Sequence, residues 1–400
     1  MSIGTESATA PNEIERAAFE TIVEPESVDE IAALVRKCEA NHITLAPVGA
    51  ARTLAQVRRT PVQIGISLRR MARIVAYEPD DMTVVTEPGI SVGDLNATLA
   101  KSGQRLPVDP RDPDATAIGS LIAAAEAGPL RLSEGTVRDL LIGIQFVGHG
   151  GRVIRAGGRV VKNVAGYDLM KVMTGSFGTL GIVTEATFKV RPIPENYTLA
   201  VASFDDHDSA FTAASSLHDR IPLIHLEITS PRISATLGTP DRVLVLAGFA
   251  GIPSELKHQR ELIAKILPAM HVLDDDRAMQ LYRSLRDLDF TDGISARMAV
   301  LPNDLARCVR ESSAEFIAHI GSGIAELFST DSDPRIVTRW RSIAHTARGH
   351  LRVLSAPASI RSQIDFFDRP NAGAFKLMQR LKTTFDPRNV FNPGCFVGGL

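Results

Sequence analysis

Helical and strand periods alternate along the first half of the chain. Ser27 and Glu30 form a capping box, and the apolar residues that follow recur at helical spacing. A second predicted helix, residues 92–101, ends at Gly103, which suits a C-terminal cap. Residues 149–151 are His-Gly-Gly and predict a hairpin between two of the apolar runs. The predicted strands are residues 43–46, 62–66, 73–77, 82–86, 142–147, 152–156 and 182–190, and a short helix is predicted at 168–173.

The alternation begins again after residues 192–195, where two prolines indicate a linker. Ser254 is the predicted cap of one helix and Asp333 the predicted cap of another. The predicted helices are residues 254–266, 334–348 and 375–384, and the predicted strands are 243–249, 296–300 and 323–328. No internal repeat of fixed period is visible. We therefore predict a first α+β domain, a second α+β domain and a short C-terminal piece.

Composition narrows the class of protein. With 44 % hydrophobic residues, 22 % charged residues and a net charge of −2, the chain is predicted to be globular and not to bind nucleic acid. It has no run of about 18 apolar residues, the length that predicts a membrane span. The cysteines, Cys38, Cys308 and Cys395, are far apart, so no iron–sulfur, zinc or other metal site is predicted. Sparse cysteines and the absence of an apolar signal core predict a cytoplasmic protein.

A glycine-rich segment precedes the last strand of the first domain. Its core, Gly175-Ser176-Phe177-Gly178-Thr179-Leu180-Gly181, allows positive φ and a close approach of the backbone to a ligand. A structural turn is the alternative interpretation. Together with Lys162–Asp168 (KNVAGYD) and the C-terminal Phe385–Gly394, the segment resembles the FAD-binding domain shared by vanillyl-alcohol oxidase, D-lactate dehydrogenase and glycolate oxidase subunits. Within that family it resembles the FAD-binding subunit of glycolate oxidase in particular.

The resemblance implies a fold and a division of the chain. Residues 1–15 are expected to form a disordered tail. Residues 16–194 would be a PCMH-type FAD-binding domain of two subdomains, and residues 195–370 an α+β, ferredoxin-like substrate or cap domain. Residues 371–400 would be a helix and a short segment that returns to the flavin.

The resemblance also implies two loops that hold the FAD diphosphate with backbone N–H groups. Glycines that are usual in the family are replaced at Ala50, Ala51, Arg52 and Ser120. A left-handed conformation costs a residue with a Cβ about 1–2 kcal/mol, so the alanines predict weaker FAD binding or another loop path. Arg52 is expected either to pair with the phosphates or to be a solvated loop residue. The first loop matches at Pro47, Gly49, Ala50, Ala51, Arg52 and Thr53, and the second at Thr116, Gly119 and Ser120.

Further FAD contacts are implied at positions that match the family. Asp109 and Thr116 would lie beside the flavin ring, and Tyr167 would line the dinucleotide or, alternatively, be a packing residue. The first loop has no His or Cys for covalent attachment, so non-covalent FAD is expected. His149, in a hairpin turn, is expected to be exposed. The remaining implied contacts are Asn163, Gly166, Gly178, Thr179, Gly181, Ile182, Val183 and Asn392.

The second predicted domain offers few groups for chemistry. Arg297, in a predicted strand, is a weak candidate for a cation that holds a substrate carboxylate. His225 and Glu227 alternate onto one strand face, where the carboxylate could orient the histidine, although an exposed polar face is the favoured interpretation. Catalytic relatives often carry a histidine-rich GHxGDGNxH stretch; the nearest likeness here, Ala318–Gly323, has His319 alone.

The resemblance implies an FAD-dependent oxidoreductase. We expect the FAD-binding subunit of a glycolate oxidase complex, which oxidises glycolate or a related 2-hydroxy acid and passes electrons to a catalytic flavin subunit and an iron–sulfur subunit. One alternative is a stand-alone, D-lactate-type 2-hydroxy acid dehydrogenase. A second alternative is an FAD-free scaffolding subunit, which is considered because Ala50 and Ala51 replace glycines of the first FAD loop. A UDP-sugar reductase of the same fold is disfavoured by the C-terminal motif.

Overall fold

The computed structural model describes residues 19–48, 61–159, 167–290 and 292–400. The predicted tail, residues 49–53 of the first predicted FAD loop, Asn163 and Gly166 therefore lie outside the described residues. The chain divides into two compact units. Unit 1 comprises Met1–Ala127, Thr136–Ile193 and Arg369–Leu400, and unit 2 comprises Gly128–Gly135 and Pro194–Asp368.

Strands and helices alternate through the described chain much as predicted. The strands are β1 (Phe19–Val23), β2 (Leu45–Val48), β3 (Val62–Ser67), β4 (Ile74–Glu78), β5 (Thr83–Thr86), β6 (Gln104–Arg105), β7 (Leu141–Gly148), β8 (Arg152–Gly157), β9 (Ile182–Lys189), β10 (Arg191–Pro192), β11 (Asn196–Phe204), β12 (His225–Thr229), β13 (Val243–Gly251), β14 (His271–Asp274), β15 (Ile294–Ala299), β16 (Glu315–His319), β17 (Ile324–Ser329) and β18 (His350–Ser355). The helices are α1 (Val28–Asn41), α2 (Val92–Leu99), α3 (Ile118–Ala124), α4 (Arg131–Glu134), α5 (Val137–Leu140), α6 (Leu169–Met173), α7 (His207–Arg220), α8 (Pro231–Thr236), α9 (Pro253–Ile266), α10 (Asp275–Arg286), α11 (Leu305–Ser312), α12 (Arg335–Thr346) and α13 (Ala372–Phe385).

Unit 1 contains a small parallel sheet and a larger antiparallel one. The parallel sheet has the order β1-β3-β2, and the antiparallel sheet has the order β4-β5-β9-β7-β8. Helix α1 buries Ile31, Val35 and Cys38 against the parallel sheet, because these residues recur on one helical face. Helices α2 and α3 contribute to the core on the antiparallel sheet. The two sheets, each with its own core, agree with the two predicted subdomains.

The predicted helix caps at Ser27 and Gly103 are confirmed, whereas the predicted cap at Ser254 is wrong. Ser27 Oγ accepts an amide hydrogen bond in the first turn of α1, at 3.3 Å. Helix α9 begins at Pro253, so Ser254 lies inside its first turn and is not the cap. The carboxylate of Glu255 instead accepts the amide of Ile252 at 3.1 Å. Proline is favoured at the first helical position because it has no N–H to leave without a partner.

Unit 2 is built on an eight-stranded antiparallel sheet of order β14-β11-β13-β12-β16-β17-β15-β18. Strands β11 to β14, with α7 and α9, form a β-α-β-β-α-β motif, and strands β15 to β18, with α11 and α12, form a second. The motifs join where β12 pairs with β16. They span residues 196–274 and 294–355, and their unequal lengths explain why the sequence shows no fixed period. The ferredoxin-like topology predicted for this region is confirmed, in duplicate.

The two faces of this sheet are covered differently. Phe316 of β16 stacks on Phe211 of α7 with ring centroids 6.3 Å apart, so α7 packs on the face that carries Phe316. On the other face, Leu199 and Leu246 pack against Ala278 of α10. Neighbouring residues of a strand point to opposite faces, so the pairing register assigns each side chain to one face.

Within the described residues, no helix is long and apolar enough to cross a membrane.

Candidate functional site

The C-terminal segment packs against the glycine-rich loop within unit 1. The backbone N–H of Asn392 donates to the carbonyl of Leu45, and its side-chain Nδ2 donates to the carbonyl of Phe177, both at 2.7 Å. Leu45 begins β2, the strand that leads into the first predicted FAD loop. Asn392 is completely buried, and its Oδ1 has no hydrogen-bond partner among the described residues. The predicted return of this segment thus brings a buried acceptor to the glycine loop.

Both the backbone conformation at position 178 and the lack of space beside it require a glycine there. Its φ of 68° lies in the left-handed region, and a Cβ at this position would stand 2.4 Å from Cγ of Pro47. The loop is also bonded to the end of α3, because the N–H groups of Gly175 and Phe177 donate to carbonyls of Ile122 and Ala123, each at 2.9 Å. The structure therefore joins Pro47, the glycine loop and α3, three of the segments predicted to surround FAD.

The predicted second loop leads into the start of α3. Asp109, Thr116 and Ser120 are all buried, at 4 %, 7 % and 9 % exposure. The hydroxyl of Thr116 donates to the carbonyls of Arg111 and Asp112 at 3.0 and 2.9 Å, so it holds the turn before α3. The amide of Gly119 donates to the carbonyl of Pro88 at 2.8 Å. These contacts fix the backbone of the predicted loop.

Other predicted FAD residues have more varied surroundings. Ile182 and Val183 are buried in β9, where they pair with strand β7. Gly181 has a φ of 151°, and Thr179 donates its hydroxyl to a carbonyl of the same loop at 2.6 Å. Tyr167 is 91 % exposed, which contradicts the alternative that it is a packing residue.

His149 is held by an acidic partner. Its Nδ1 lies 2.9 Å from Oε1 of Glu39, and its side chain is 38 % exposed. The amide of Gly150 donates to the same carboxylate at 3.0 Å. The histidine therefore fixes the β7–β8 hairpin to α1, and it is partly exposed as predicted.

The described groups of unit 1 fit a bound dinucleotide. Glycine at 178 keeps the backbone close to β2 where a Cβ would fill the space. The buried Oδ1 of Asn392 is an acceptor whose partner the described chain does not supply, and such a group is costly unless a ligand or water donates to it. FAD offers N–H and O–H donors.

In unit 2, ionisable side chains form a row across one face of the sheet. We call it the polar row. The pairing register places its members on the same face, because His225 lies opposite Gly248, Glu227 opposite His319, Glu326 opposite Arg297, and Arg297 opposite Arg352. The polar row consists of Tyr197, His225, Glu227, His319, Glu326, Arg297 and Arg352.

The favoured interpretation of His225 and Glu227 as an exposed polar face is wrong. Their side chains are 0 % and 1 % exposed, and His225 Nδ1 lies 2.5 Å from Glu227 Oε2. The Tyr197 hydroxyl lies 2.7 Å from His225 Nε2, and His319 Nδ1 lies 3.4 Å from Glu227 Oε1. The alternation of polar residues could not reveal burial, because the covering groups come from α10 and from strands distant in sequence. Tyr282 of α10, for example, has its ring 4.9 Å from that of His225.

The cluster is electrostatically coupled. Burial by itself raises the pKa of Glu227, but the charges and hydrogen bonds of His225 and His319 outweigh it and leave this pKa below its ordinary value. Burial, together with the negative charge of Glu227, raises the pKa of Tyr197 well above its ordinary value. Tyr197 therefore stays protonated and Glu227 ionised at neutral pH. His319, with a side chain 10 % exposed, is the more accessible of the two histidines.

Arg297 forms an ion pair with Glu326 in the half of the polar row that lies on β15, β17 and β18. Its guanidinium donates to Glu326 Oε1 at 2.7 Å, and their side chains are 22 % and 7 % exposed. Arg352 lies beside it on β18 and stands over the ring of Phe367, with its guanidinium carbon 5.8 Å from the centroid. The arrangement brings two guanidinium groups and a carboxylate together, a set that can bind a small anionic ligand.

Sequence reasoning missed several members of the polar row. The stretch Ala318–Gly323 holds neither an acidic residue nor a second histidine, yet Glu227 and His225 supply both to His319 from the neighbouring strand. The only sign of this cluster in the sequence is the alternation of His225 and Glu227 within β12, because no motif along the chain includes His319 as well. In the part of the chain that the structure describes, no group of three His, Cys, Asp or Glu side chains is arranged to hold a metal ion.

Comparison with known proteins identifies the family. A family model for an FAD binding domain matches residues 19–157, and one for the C-terminal domain of FAD linked oxidases matches residues 364–395. The chain is 31 % identical to glycolate oxidase subunit GlcE of Escherichia coli (strain K12), over 80 % of this chain and 83 % of that protein. It is 24 % identical to the mitochondrial D-lactate dehydrogenase (cytochrome) of Arabidopsis thaliana, over 94 % of this chain and 73 % of that protein. The chain belongs to the FAD-linked oxidases, and its cofactor is FAD.

A solved structure supports the fold. The structure of p-cresol methylhydroxylase with substrate bound matches with a TM-score of 0.69 at 14 % identity, over 93 % of this chain and 87 % of that chain. At this level of identity the likeness concerns the fold alone. It confirms the PCMH-type fold predicted from the glycine loop and the C-terminal motif.

Proposed function

We propose that this chain is the FAD-binding subunit of a glycolate oxidase-type complex, which oxidises glycolate or a related small 2-hydroxy acid to the 2-oxo acid. The observation that carries the proposed oxidation is the polar row, and the likeness to GlcE carries the assignment to a complex. Oxidation of a 2-hydroxy acid needs a cation for the carboxylate and a base for the hydroxyl proton. Arg297 and Arg352 offer the cations, and His319 offers the base.

Each of the chain's own groups would have one role in the oxidation of the 2-hydroxy acid. Arg297 would bind the substrate carboxylate, sharing its guanidinium with Glu326. His319 would accept the hydroxyl proton at Nε2, since its Nδ1 faces Glu227. Glu227 would stabilise the positive charge that His319 then carries. FAD, when bound, supplies the hydride acceptor.

The cofactor contacts proposed from the sequence are retained. Support comes from the buried Oδ1 of Asn392, the close approach of Gly178 to Pro47, and the burial of Asp109 and Thr116. For the positions outside the described residues, Gly49 to Thr53, Asn163 and Gly166, the support is the sequence resemblance. We propose non-covalent attachment on the same ground.

The proposed partners are a catalytic flavin subunit and an iron–sulfur subunit. The support is the likeness to GlcE, whose name makes it a subunit of glycolate oxidase. A second candidate function is a stand-alone D-lactate-type dehydrogenase. It is favoured by the His225–Glu227–His319 cluster, because a chain with its own base needs no second subunit for the chemical step.

Anaerobic bleaching of the bound flavin distinguishes the candidates. The purified chain is scanned for flavin absorbance, and the FAD released on denaturation is measured. Glycolate and D-lactate are then added to the chain alone and to the chain co-purified with its partners. Bleaching of the chain alone that is followed by reoxidation only when the partners are present supports the subunit, and reoxidation of the chain alone by an added electron acceptor supports the stand-alone enzyme. A chain that stays colourless with added FAD would refute both in favour of a scaffolding subunit.

A further inference from the structure

Helix α13 buries a lysine rather than an apolar residue. Lys382 is 7 % exposed, and every other residue of this helix is more exposed. Its Nζ donates to the carbonyl of Thr179 at 2.9 Å, to Asp386 Oδ2 at 2.6 Å and to the carbonyl of Phe391 at 2.8 Å. An ammonium group has three protons, and each has an acceptor here.

Packing alone does not explain this lysine. Burying a charge is costly, and replacing a buried ion pair by apolar residues of similar size is often neutral or stabilising. Burial lowers the pKa of Lys382, although Asp386 opposes the effect. The lysine connects the C-terminal helix to the glycine loop, because Thr179 of that loop lies 203 residues away in the sequence.

The ion pair fixes the backbone of the C-terminal segment from two sides. The carboxylate of Asp386 accepts the amides of Val390 and Phe391 at 3.0 and 2.9 Å. The ammonium of Lys382 holds the carbonyl of Phe391. The next residue is Asn392, which has a φ of 42° and carries the buried Oδ1 without a partner among the described residues.

We propose that the Lys382–Asp386 pair positions Asn392 for the cofactor, so that Asn392 Oδ1 accepts a hydrogen bond from an N–H or O–H group of FAD. Lys382 and Asp386 are positioning residues and do not touch FAD. The inference rests on FAD binding by unit 1, and it adds that the affinity for FAD depends on the joint between the C-terminal segment and the glycine loop.

The test uses the full-length chain and measures FAD affinity and stability separately. Apo-protein is titrated with FAD, and the thermal midpoint is recorded with and without FAD. Lys382→Met is expected to lower the apo midpoint, because Asp386 stays buried without its cation, and to weaken FAD binding at least ten-fold. Lys376→Met, at an exposed position of the same helix, is the matched control and should change neither.

A double variant separates positioning from stability. Lys382→Met/Asp386→Asn removes both charges and keeps an acceptor for one of the two amides, so its apo midpoint should return part of the way toward wild type. Its FAD affinity should stay weak, because the carbonyls of Thr179 and Phe391 no longer share a donor. Return of full FAD affinity with the stability would overturn the proposal. This variant also carries the test if Lys382→Met alone does not fold.

A double-mutant cycle tests the route through Asn392. Asn392→Gly keeps the left-handed backbone and removes the side-chain amide. If the pair acts through Asn392, adding Lys382→Met to Asn392→Gly weakens FAD binding little further. Additive losses would overturn the route. A wild-type chain that binds no FAD would refute the cofactor assignment itself, a result distinct from unchanged affinity in the variants.

Discussion

His225 Nδ1 lies 2.5 Å from Glu227 Oε2, and both side chains are completely buried. Because a carboxylate can only accept, the proton of this bond is on the histidine. The other ring nitrogen faces the hydroxyl of Tyr197 at 2.7 Å. The second carboxylate oxygen faces His319 at 3.4 Å. A chain of polar contacts thus crosses from β11 to β16 at the joint of the two β-α-β-β-α-β motifs.

The first prediction concerns this carboxylate. Glu227→Gln should lower the free energy of unfolding by about 1–3 kcal/mol, because a buried charge-assisted hydrogen bond is replaced by a poorer one. Urea unfolding of the full chain measures the change. Glu315→Gln, in a half-buried position on β16, is the matched control and should cost less. Equal losses would show that the contacts to the two histidines add nothing.

The pH dependence of that difference follows from the lowered pKa of Glu227. Its ordinary value is 4.5, and its folded-state value lies below this. The stabilisation is therefore complete above about pH 4.5 and is lost as the pH falls through the folded-state pKa. Wild type and Glu227→Gln should differ by a constant amount near neutrality and converge in acid. A difference that persists unchanged to pH 3 would contradict the prediction.

The alternation of helices and strands was predictable because it depends on local patterns. The hairpin around His149 and the helix after Ser27 are examples, since both depend on residues a few positions apart. Ser254 failed as a cap because the preceding proline takes the first helical position, a competition that the capping preference alone does not decide.

The site was less predictable than the fold. His319 and Glu227 are 92 residues apart and meet only through the pairing of β12 with β16. Arg297 could be singled out by its strand position, but its partner Glu326 depends on register across β15 and β17. In contrast, Asn392 could be proposed from the sequence because its neighbours match a motif of a known family. Contacts between distant strands were therefore missed, whereas motifs were recognised.

A second prediction concerns the space around His225. A Cβ at Gly248 would stand 2.0 Å from His225 Nε2, and the ring cannot move away without losing Glu227 or Tyr197. Gly248→Ala should destabilise the fold by about 1–3 kcal/mol, as overpacking of a core does. Thermal and urea unfolding check this. Gly158→Ala, where a Cβ meets nothing within 4 Å, is the control, and equal effects would sink the argument.

Arg297 is predicted to bind the substrate carboxylate. Arg297→Gln should raise KM for the 2-hydroxy acid at least ten-fold with a smaller change in kcat, because a hydrogen bond to a charged group contributes about 1.5–3 kcal/mol. Arg310→Gln, which breaks an exposed pair with Asp208, is the control and should leave KM unchanged. Steady-state kinetics of the assembled enzyme gives both constants.

A structural role for Arg297 has a different signature. If Arg297 only neutralises Glu326, then the double variant Arg297→Gln/Glu326→Gln should restore KM, since no buried carboxylate is left uncompensated. A KM that stays raised in the double variant supports direct binding of the substrate.

Arg52 is predicted to contribute to FAD retention. It replaces a usual family glycine in the first predicted loop, and a guanidinium pairs with phosphate oxygens in a bidentate manner. Arg52→Ala should weaken FAD binding, whereas Arg52→Lys should retain part of it because the charge remains. FAD titration of the apo-protein measures both. Equal affinity in all three chains would mean that Arg52 is a solvated loop residue.

The alanines of the same loop allow a prediction of opposite sign. If Ala50 or Ala51 must adopt a left-handed conformation to hold the diphosphate, each costs about 1–2 kcal/mol that glycine would not. Ala50→Gly/Ala51→Gly should then tighten FAD binding, by about ten-fold for each 1.4 kcal/mol recovered. The free energy of unfolding of the apo-protein should fall slightly, because glycine gains conformational freedom in the unfolded chain. Weaker FAD binding in the glycine variant would mean that the loop holds FAD by a path that these alanines fit, and that the family's glycine geometry does not apply to this chain.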